Sequence, residues 1–170
     1  IILDDVYDRA IAALIDAGIN RSGADAVRQV SGKLAARIIS SNRKAEKVPV
    51  TFGEMLGDAY EWLKDKMPLP DERKQAIDDG VRNIIAELGA LPVAVTQPFF
   101  HAAEAAKKDS AELLSIVINP EACKSCGLCV SNCEPEALRG VPQDADVLRK
   151  VRELWSVFSA TPDTLSQTLE

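Results

Sequence analysis

The four cysteines of this 170-residue chain all lie within eleven residues, Cys123-Lys-Ser-Cys126-Gly-Leu-Cys129-Val-Ser-Asn-Cys133. Thiolates are soft donors that suit iron–sulfur clusters and zinc. Three of them at Cys-x2-Cys-x2-Cys spacing can converge on one iron–sulfur cubane, provided the backbone between them curls tightly. Gly127 sits where a side chain would crowd that curl, and it can take a backbone angle costly for other residues. Structural zinc usually takes two cysteine pairs separated by a longer loop, which opens the ligands into a tetrahedron, so a compact run of four is poor for zinc. A disulfide framework is poorer still, because four neighbouring cysteines would staple almost nothing. An emptied, vestigial site is the remaining bland reading.

The flanks agree with the cluster reading. Ser115-Ile116-Val117-Ile118-Asn119-Pro120 is a β-prone run ended by a proline turn, and Glu136-Ala137-Leu138 is expected to close a short helix beginning just after the third cysteine. A strand, a ligand loop and a short helix make half of a ferredoxin repeat. On these residues the segment from about Leu114 to Gly140 resembles the 4Fe-4S ferredoxin family, which passes electrons one at a time between redox partners.

The resemblance implies Cys123, Cys126, Cys129 and Cys133 as ligands of a [4Fe-4S] cluster. Lys124, Ser125, Gly127 and Leu128 would tune its potential through charge, backbone hydrogen bonds to sulfur and local dryness. Two features depart from the family. In two-cluster ferredoxins the fourth cysteine ligates the other cluster, and this chain has no twin motif. The usual Cys-Pro is relaxed to Cys133-Glu134-Pro135. Three outcomes stay open. The partner motif belongs to another segment or subunit, Cys133 bends back to complete one cluster, or the site holds a [3Fe-4S] or incomplete cluster.

A wider resemblance covers the apolar strand, the cysteine loop and the helical segment ending in Trp155-Ser-Val-Phe158-Ser-Ala-Thr-Pro162. These are similar to the second cluster-binding half of the ferredoxin-like domain in 2-oxoacid:acceptor oxidoreductases, which use thiamine diphosphate in separate domains. The resemblance implies an electron relay, with redox proteins or other domains of a larger oxidoreductase as partners. It implies no thiamine site and no catalytic residue in this chain. Ile1 to Ala111 departs from that pattern, since no first cysteine motif occurs there.

Such a site must be positioned by the remaining residues, and composition shows they can form a core. Hydrophobic residues make up 46% and charged residues 27%, as in an ordinary globular protein. A chain of this length makes one domain or two small ones without needing a cluster to supply its core. The net charge of −6 argues against general nucleic-acid or anionic-membrane binding and permits docking to basic partners. No apolar stretch is long enough to span a bilayer and no basic-then-apolar leader is present. Cluster-bearing thiolates imply a reducing compartment, here the cytoplasm. The opening at Ile1 is expected of a mature, trimmed or excised chain.

Apolar periodicity predicts helices through most of residues 1–111. Ile2, Val6, Ala10, Ala13 and Ala17 recur at helical spacing and Gly18 ends the pattern. Ser22 with Asp25 reads as a capping box before a second helix carrying Ala24, Val27, Leu34 and Ile38, with Gly32 marking a close crossing. Seven Lys or Arg against two acidic residues between Arg21 and Lys47 describe a solvated basic face or a contact for an acidic partner.

Thr51 and Glu54 cap a third helix with Phe52, Leu56, Tyr60, Leu63 and Met67 on one side, stopped by Pro68-Leu69-Pro70. Asp71 and Glu72 open a fourth helix with Ile77, Val81, Ile84, Ile85 and Leu88, capped by Gly89. Residues 90–100 read as irregular. The sole histidine, His101, begins an alanine-rich helix through Lys108, where a surface or capping role outweighs an approach to the cluster. Asp144 starts a last helix carrying Val147, Val151, Leu154, Trp155 and Phe158, and residues 160–170 form a polar tail. Asp78 and Asp79 read as a solvated helix side rather than a cleft pair.

The expectation is an α+β, predominantly helical fold: a helical domain over residues 1–111, a ferredoxin-like iron–sulfur lobe over 112–143, and a C-terminal helix and tail over 144–170. The function is expected to be iron–sulfur electron transfer within a larger oxidoreductase. The alternative of a different class is a non-redox structural or interaction module that keeps the cysteines for folding.

Overall fold

Four helices gather the apolar stripes of residues 21–88. They appear in the computed structural model, which describes residues 12, 15, 21–44, 51–134 and 136–161. They are α1 (Arg21–Arg28), α2 (Ser31–Asn42), α3 (Phe52–Lys64) and α4 (Asp71–Leu88). Val27, Leu34, Leu56, Leu63, Ile77 and Val81 are among the buried residues of one shared core. The expected first helix with Ile2, Val6, Ala10, Ala13 and Ala17 lies outside the described residues, as does the tail beyond Thr161.

The expected second helix is two helices, and Ser22 lies within α1 rather than ahead of it. The break at Gln29-Val30 turns Val30 into the core, leaving it 5% exposed. The Val30 N–H closes on the Val27 carbonyl at 3.0 Å, and the Ser31 hydroxyl donates to the Arg28 carbonyl at 2.8 Å. These bonds satisfy carbonyls that the end of α1 would otherwise leave unpaired. Gly32 is not the crossing point, since a Cβ there would meet nothing within 4 Å. The close approach is between α1 and α4, where a Cβ on Gly23 would stand 2.9 Å from the Gly80 Cα.

The capping box of α3 forms as read. The Thr51 hydroxyl accepts from the Glu54 N–H at 3.3 Å and the Glu54 carboxylate accepts from the Thr51 N–H at 3.1 Å. A cap of this kind contributes about 1 kcal/mol. The same end of α3 leans on the end of α4, where the Gly53 N–H donates to the Gly89 carbonyl at 3.0 Å. Gly89 caps α4 as expected, in a right-handed conformation with φ −60° and ψ −30°, its N–H donating to the Ile85 carbonyl at 2.9 Å. It is small because Gly53 packs against it: a Cβ on Gly53 would lie 2.9 Å from the Gly89 Cα.

Residues 90–96 cross this junction irregularly, as expected, with isolated antiparallel bridges pairing Thr51 with Pro92 and Ala94 with Leu114. The stretch expected to be irregular to Phe100 ends early, because Thr96 caps a π-helical turn, Gln97–Ala102, accepting from the Phe99 N–H at 3.3 Å. This turn runs into α5 (Ala103–Ala106) and inserts Phe100, which is 0% exposed. The alanine-rich helix stops short of Lys108, and Asp109 takes a left-handed φ of 61°. Arg43 at the end of α2 reaches Glu104, with an Nε to Oε1 distance of 2.8 Å, and Asp109 at 3.1 Å. Burial alone would raise the Glu104 carboxyl, but hydrogen bonding and charge from Arg43 outweigh it and hold the group below its ordinary value. α2 is thereby tied to the loop that leads to the cysteines.

The β-prone run Ser115–Ile118 takes no strand, which corrects the expected half-repeat. Leu114 exchanges both backbone hydrogen bonds with Ala94 at 2.8 and 3.0 Å, but the pairing ends there and Ile116 is left 69% exposed. A strand needs a neighbour along its length, and among the described residues none continues beside this run.

Candidate metal centre

Asn119 sets the course into the cysteine loop. Its side-chain oxygen accepts from the Glu121 N–H at 3.0 Å and its carbonyl from the Cys123 N–H at 3.0 Å. Side-chain turns of this sort are an ordinary use of asparagine. The last helix, α7 (Ala145–Ser159), holds the same turn from outside, since Arg152 Nε lies 2.7 Å from Glu121 Oε1. Both partners are exposed, so the pair contributes little stability. α7 starts at Asp144, whose carboxylate accepts from the Val147 N–H at 2.8 Å, and packs Leu154 and Val157 against the helical core. It therefore links the core to the loop.

The curl itself uses two left-handed residues, Ser125 at φ 53° and Gly127 at φ 75°. Glycine takes this conformation without penalty; at Ser125 it is a rarer choice, tolerated on an exposed loop. The Gly127 carbonyl then accepts from the Val130 and Ser131 N–H groups at 3.1 and 2.9 Å, starting the one-turn helix α6 (Leu128–Ser131). This helix contains the third cysteine instead of following it. It does not reach Glu136-Ala137-Leu138, where Glu136 adopts φ 51°. The Cys133 N–H donates to the Val130 carbonyl at 3.2 Å, and the Cys133 carbonyl accepts from Glu136 at 2.8 Å. The fourth cysteine is thus anchored by backbone on both sides.

All four cysteines are free thiols; Cys123, Cys126 and Cys129 are exposed and Cys133 is half-buried. Cys133 lies at an open groove of about 620 Å³ that Val130, Glu134, Leu138 and Arg139 also line. Among the described residues no three Cys, His, Asp or Glu side chains are gathered as a metal-binding set. The loop carries the right donors for an iron–sulfur cluster, and exposed thiols change rotamer without repacking a core. Its backbone fits as well. Among the described residues, the N–H groups of Lys124, Ser125, Cys126, Gly127, Leu128 and Cys129 donate to no acceptor. A run of open amides around left-handed residues favours an anion, and hydrogen bonds to sulfur are a main control on cluster potential.

The other candidates sit elsewhere. His101 packs edge-on against Phe100, with ring centroids 5.3 Å apart. Asp79 is on the exposed side of α4 and accepts from Gln75 at 2.9 Å. Asp78 is not solvated as read; it is 9% exposed, paired with Arg82, and 3.6 Å from Lys64 Nζ. Burial, then the Asp78 charge, push the neighbouring Tyr60 phenol up to about 12. This is a structural polar cluster between α3 and α4. Sequence reading missed the Arg152–Glu121 tie, for which no local pattern exists because the two residues are far apart in the chain. It also missed the left-handed Ser125, which carries no compositional signal.

Residues 116–139 match the family model described as the 4Fe-4S binding domain. No curated protein and no solved structure matches the chain. None of its described helices is long and apolar enough to cross a membrane. Loop and match agree: residues 116–139 are a 4Fe-4S ferredoxin-type segment, and the role they support is iron–sulfur electron transfer.

Proposed function

We propose that the chain is the electron-transfer part of a larger cytoplasmic oxidoreductase of the 2-oxoacid:acceptor type. Cys123, Cys126 and Cys129 hold one cluster, and Cys133 is a ligand offered to a neighbouring centre. A bound [4Fe-4S] cluster supplies one-electron exchange. The protein's own part is to present three exposed thiolates, surround them with the open amides of Lys124 to Cys129, and orient the loop through Asn119 and Arg152. No acid–base residue is needed for that role. In this reading residues 1–111 and 144–170 are the mount and 112–143 the cluster lobe, and the 2-oxoacid is oxidised on other domains.

The carrying observation is a single, unpaired cysteine motif whose fourth member differs from the rest. Cys133 is half-buried and pinned by backbone at both its N–H and carbonyl, whereas the other three thiols are exposed. The surroundings agree, because Ile116, Ile118, Leu128, Val130 and Val141 are all exposed large hydrophobics close in sequence to the loop. These residues supply apolar surface that a docked partner would cover.

Anaerobic reconstitution of wild type and Cys133→Ser tests the assignment. Iron and sulfide per chain are expected to be equal in the two proteins and below one full cluster, with Cys133 open to alkylation in the wild type. A stable four-iron cluster in the wild type that loses a thiolate ligand in the variant would make Cys133 an internal ligand and end the missing-partner account.

A further inference from the structure

A second unusual surface lies on the face shared by α2 and α3. The chain carries a net charge of −6, yet residues 21–44 hold Arg21, Arg28, Lys33, Arg37, Arg43 and Lys44 against Asp25 alone. Arg43 is taken up by Glu104 and Asp109. Lys33 and Arg37, at i and i+4, lie one turn apart on the same side of α2, and Lys44 follows just past its end at Asn42. Trp62 of α3 meets this line: Arg37 Cζ stands 4.7 Å from its ring centroid and Lys66 Nζ stands 3.7 Å away. The indole is 39% exposed and does not belong to the core. Among the described residues no carboxylate pairs with Lys33, Arg37, Lys44 or Lys66.

An exposed tryptophan held between two cations has the composition of a binding hot spot, where Trp and Arg are enriched. Cation–π contacts at exposed sites are weak, a slight structural reason for leaving an indole in water. We infer that this face docks an acidic protein segment, with Trp62 as the apolar anchor and Lys33, Arg37, Lys44 and Lys66 as carboxylate partners. Charge complementarity selects the occupant. A continuous phosphate backbone is disfavoured because acidic positions interrupt the basic ones here: Asp58 on α3 and Asp65 at its C-terminal cap stand at i−4 and i+3 from Trp62. Spaced carboxylates on a protein segment fit between them, and the negative charge of the whole chain opposes a long polyanion.

A short fluorescently labelled peptide of glutamates spaced by serines, followed by anisotropy at low and physiological salt, is the probe. The wild type is expected to bind it saturably, and the Arg37→Glu/Lys66→Glu double variant to bind at least tenfold more weakly. Lys33→Glu/Lys44→Glu, altered only at exposed positions, is expected to show the same direction of change and serves if the first variant misfolds. Trp62→Ala is expected to lose several-fold in affinity, with its far-ultraviolet circular dichroism unchanged. Lys150→Glu/Arg149→Glu on α7 makes the same change in net charge away from the face and is expected to stay within twofold of wild type. The inference is overturned by absence of saturable binding, by equal weakening in the α7 control, or by tighter binding to a single-stranded oligonucleotide of matched charge.

Discussion

Cys126→Ser is expected to reduce cluster iron at least tenfold while leaving the helical core folded. Cys126 is the middle thiol of the run and lies between the two left-handed residues, Ser125 and Gly127. Its position is set by the curl rather than by packing, and the one remaining thiol, Cys133, is held by backbone at both its N–H and its carbonyl. Serine keeps the shape but substitutes a hard alkoxide donor, which is poorly deprotonated and poorly matched to cluster iron. The core that includes Leu34, Leu56 and Val81 is assembled without the loop, so helicity by circular dichroism should match the wild type. The measurement is iron and acid-labile sulfide after identical anaerobic reconstitution. Undiminished cluster in the variant would remove Cys126 from the ligand set.

The largest stability effect is expected at Gly80. A Cβ there would run into the Gly23 carbonyl and come within 2.8 Å of the Val27 side chain. A backbone carbonyl cannot rotate out of the way, so α1 and α4 must separate and open the core. Overpacking usually costs about 1–3 kcal/mol, and Gly80→Val should lie at or above the upper end because its branched side chain is forced against backbone. Gly32→Ala is the internal contrast. It meets nothing within 4 Å and gains helix propensity, so about 0.5–1 kcal/mol of stabilisation is expected. Urea unfolding of the two variants checks both signs, and a neutral Gly80→Val would show that the α1–α4 approach is looser than described.

These two glycines show where sequence reading reached its limit. Periodicity identified the buried faces of α3 and α4 correctly, because Leu56, Tyr60 and Leu63 or Ile77, Val81 and Ile84 need only their own helix to declare a side. Local chemistry was equally legible: the Thr51–Glu54 box, the Pro68–Pro70 break and the Asp144 cap are made by neighbours in the chain. The partner of each face was not legible. Gly32 resembled a crossing residue as well as Gly23 or Gly80 did, and only the approach of α1 to α4 distinguishes them. Asp78 read as solvated because its position on α4 borders the apolar stripe, and Lys64 arrives from another helix. The run Ser115–Ile118 has strand propensity, but a strand is made by its neighbour.

The cysteine loop was legible for a different reason. Metal-ligand spacing is a property of a few consecutive residues, and the match over residues 116–139 falls on the same segment. What spacing could not give was the conformation that accompanies it, with α6 enclosing Cys129 and Cys133 withdrawn from the exposed set. Those features follow from Gly127 and Glu136 taking left-handed conformations, at φ 75° and 51°. Only the glycine announces itself in the sequence.

The central claim is that this loop binds an iron–sulfur cluster able to exchange single electrons. Its most direct test is anaerobic purification of the wild-type chain, quantification of bound iron and acid-labile sulfide, and low-temperature electron paramagnetic resonance after reduction. Iron and sulfide are expected to be bound together, with a signal that appears on reduction and disappears on reoxidation. A folded chain with its four cysteines reduced that holds neither iron nor sulfide and gives no signal, before or after reconstitution, would contradict it.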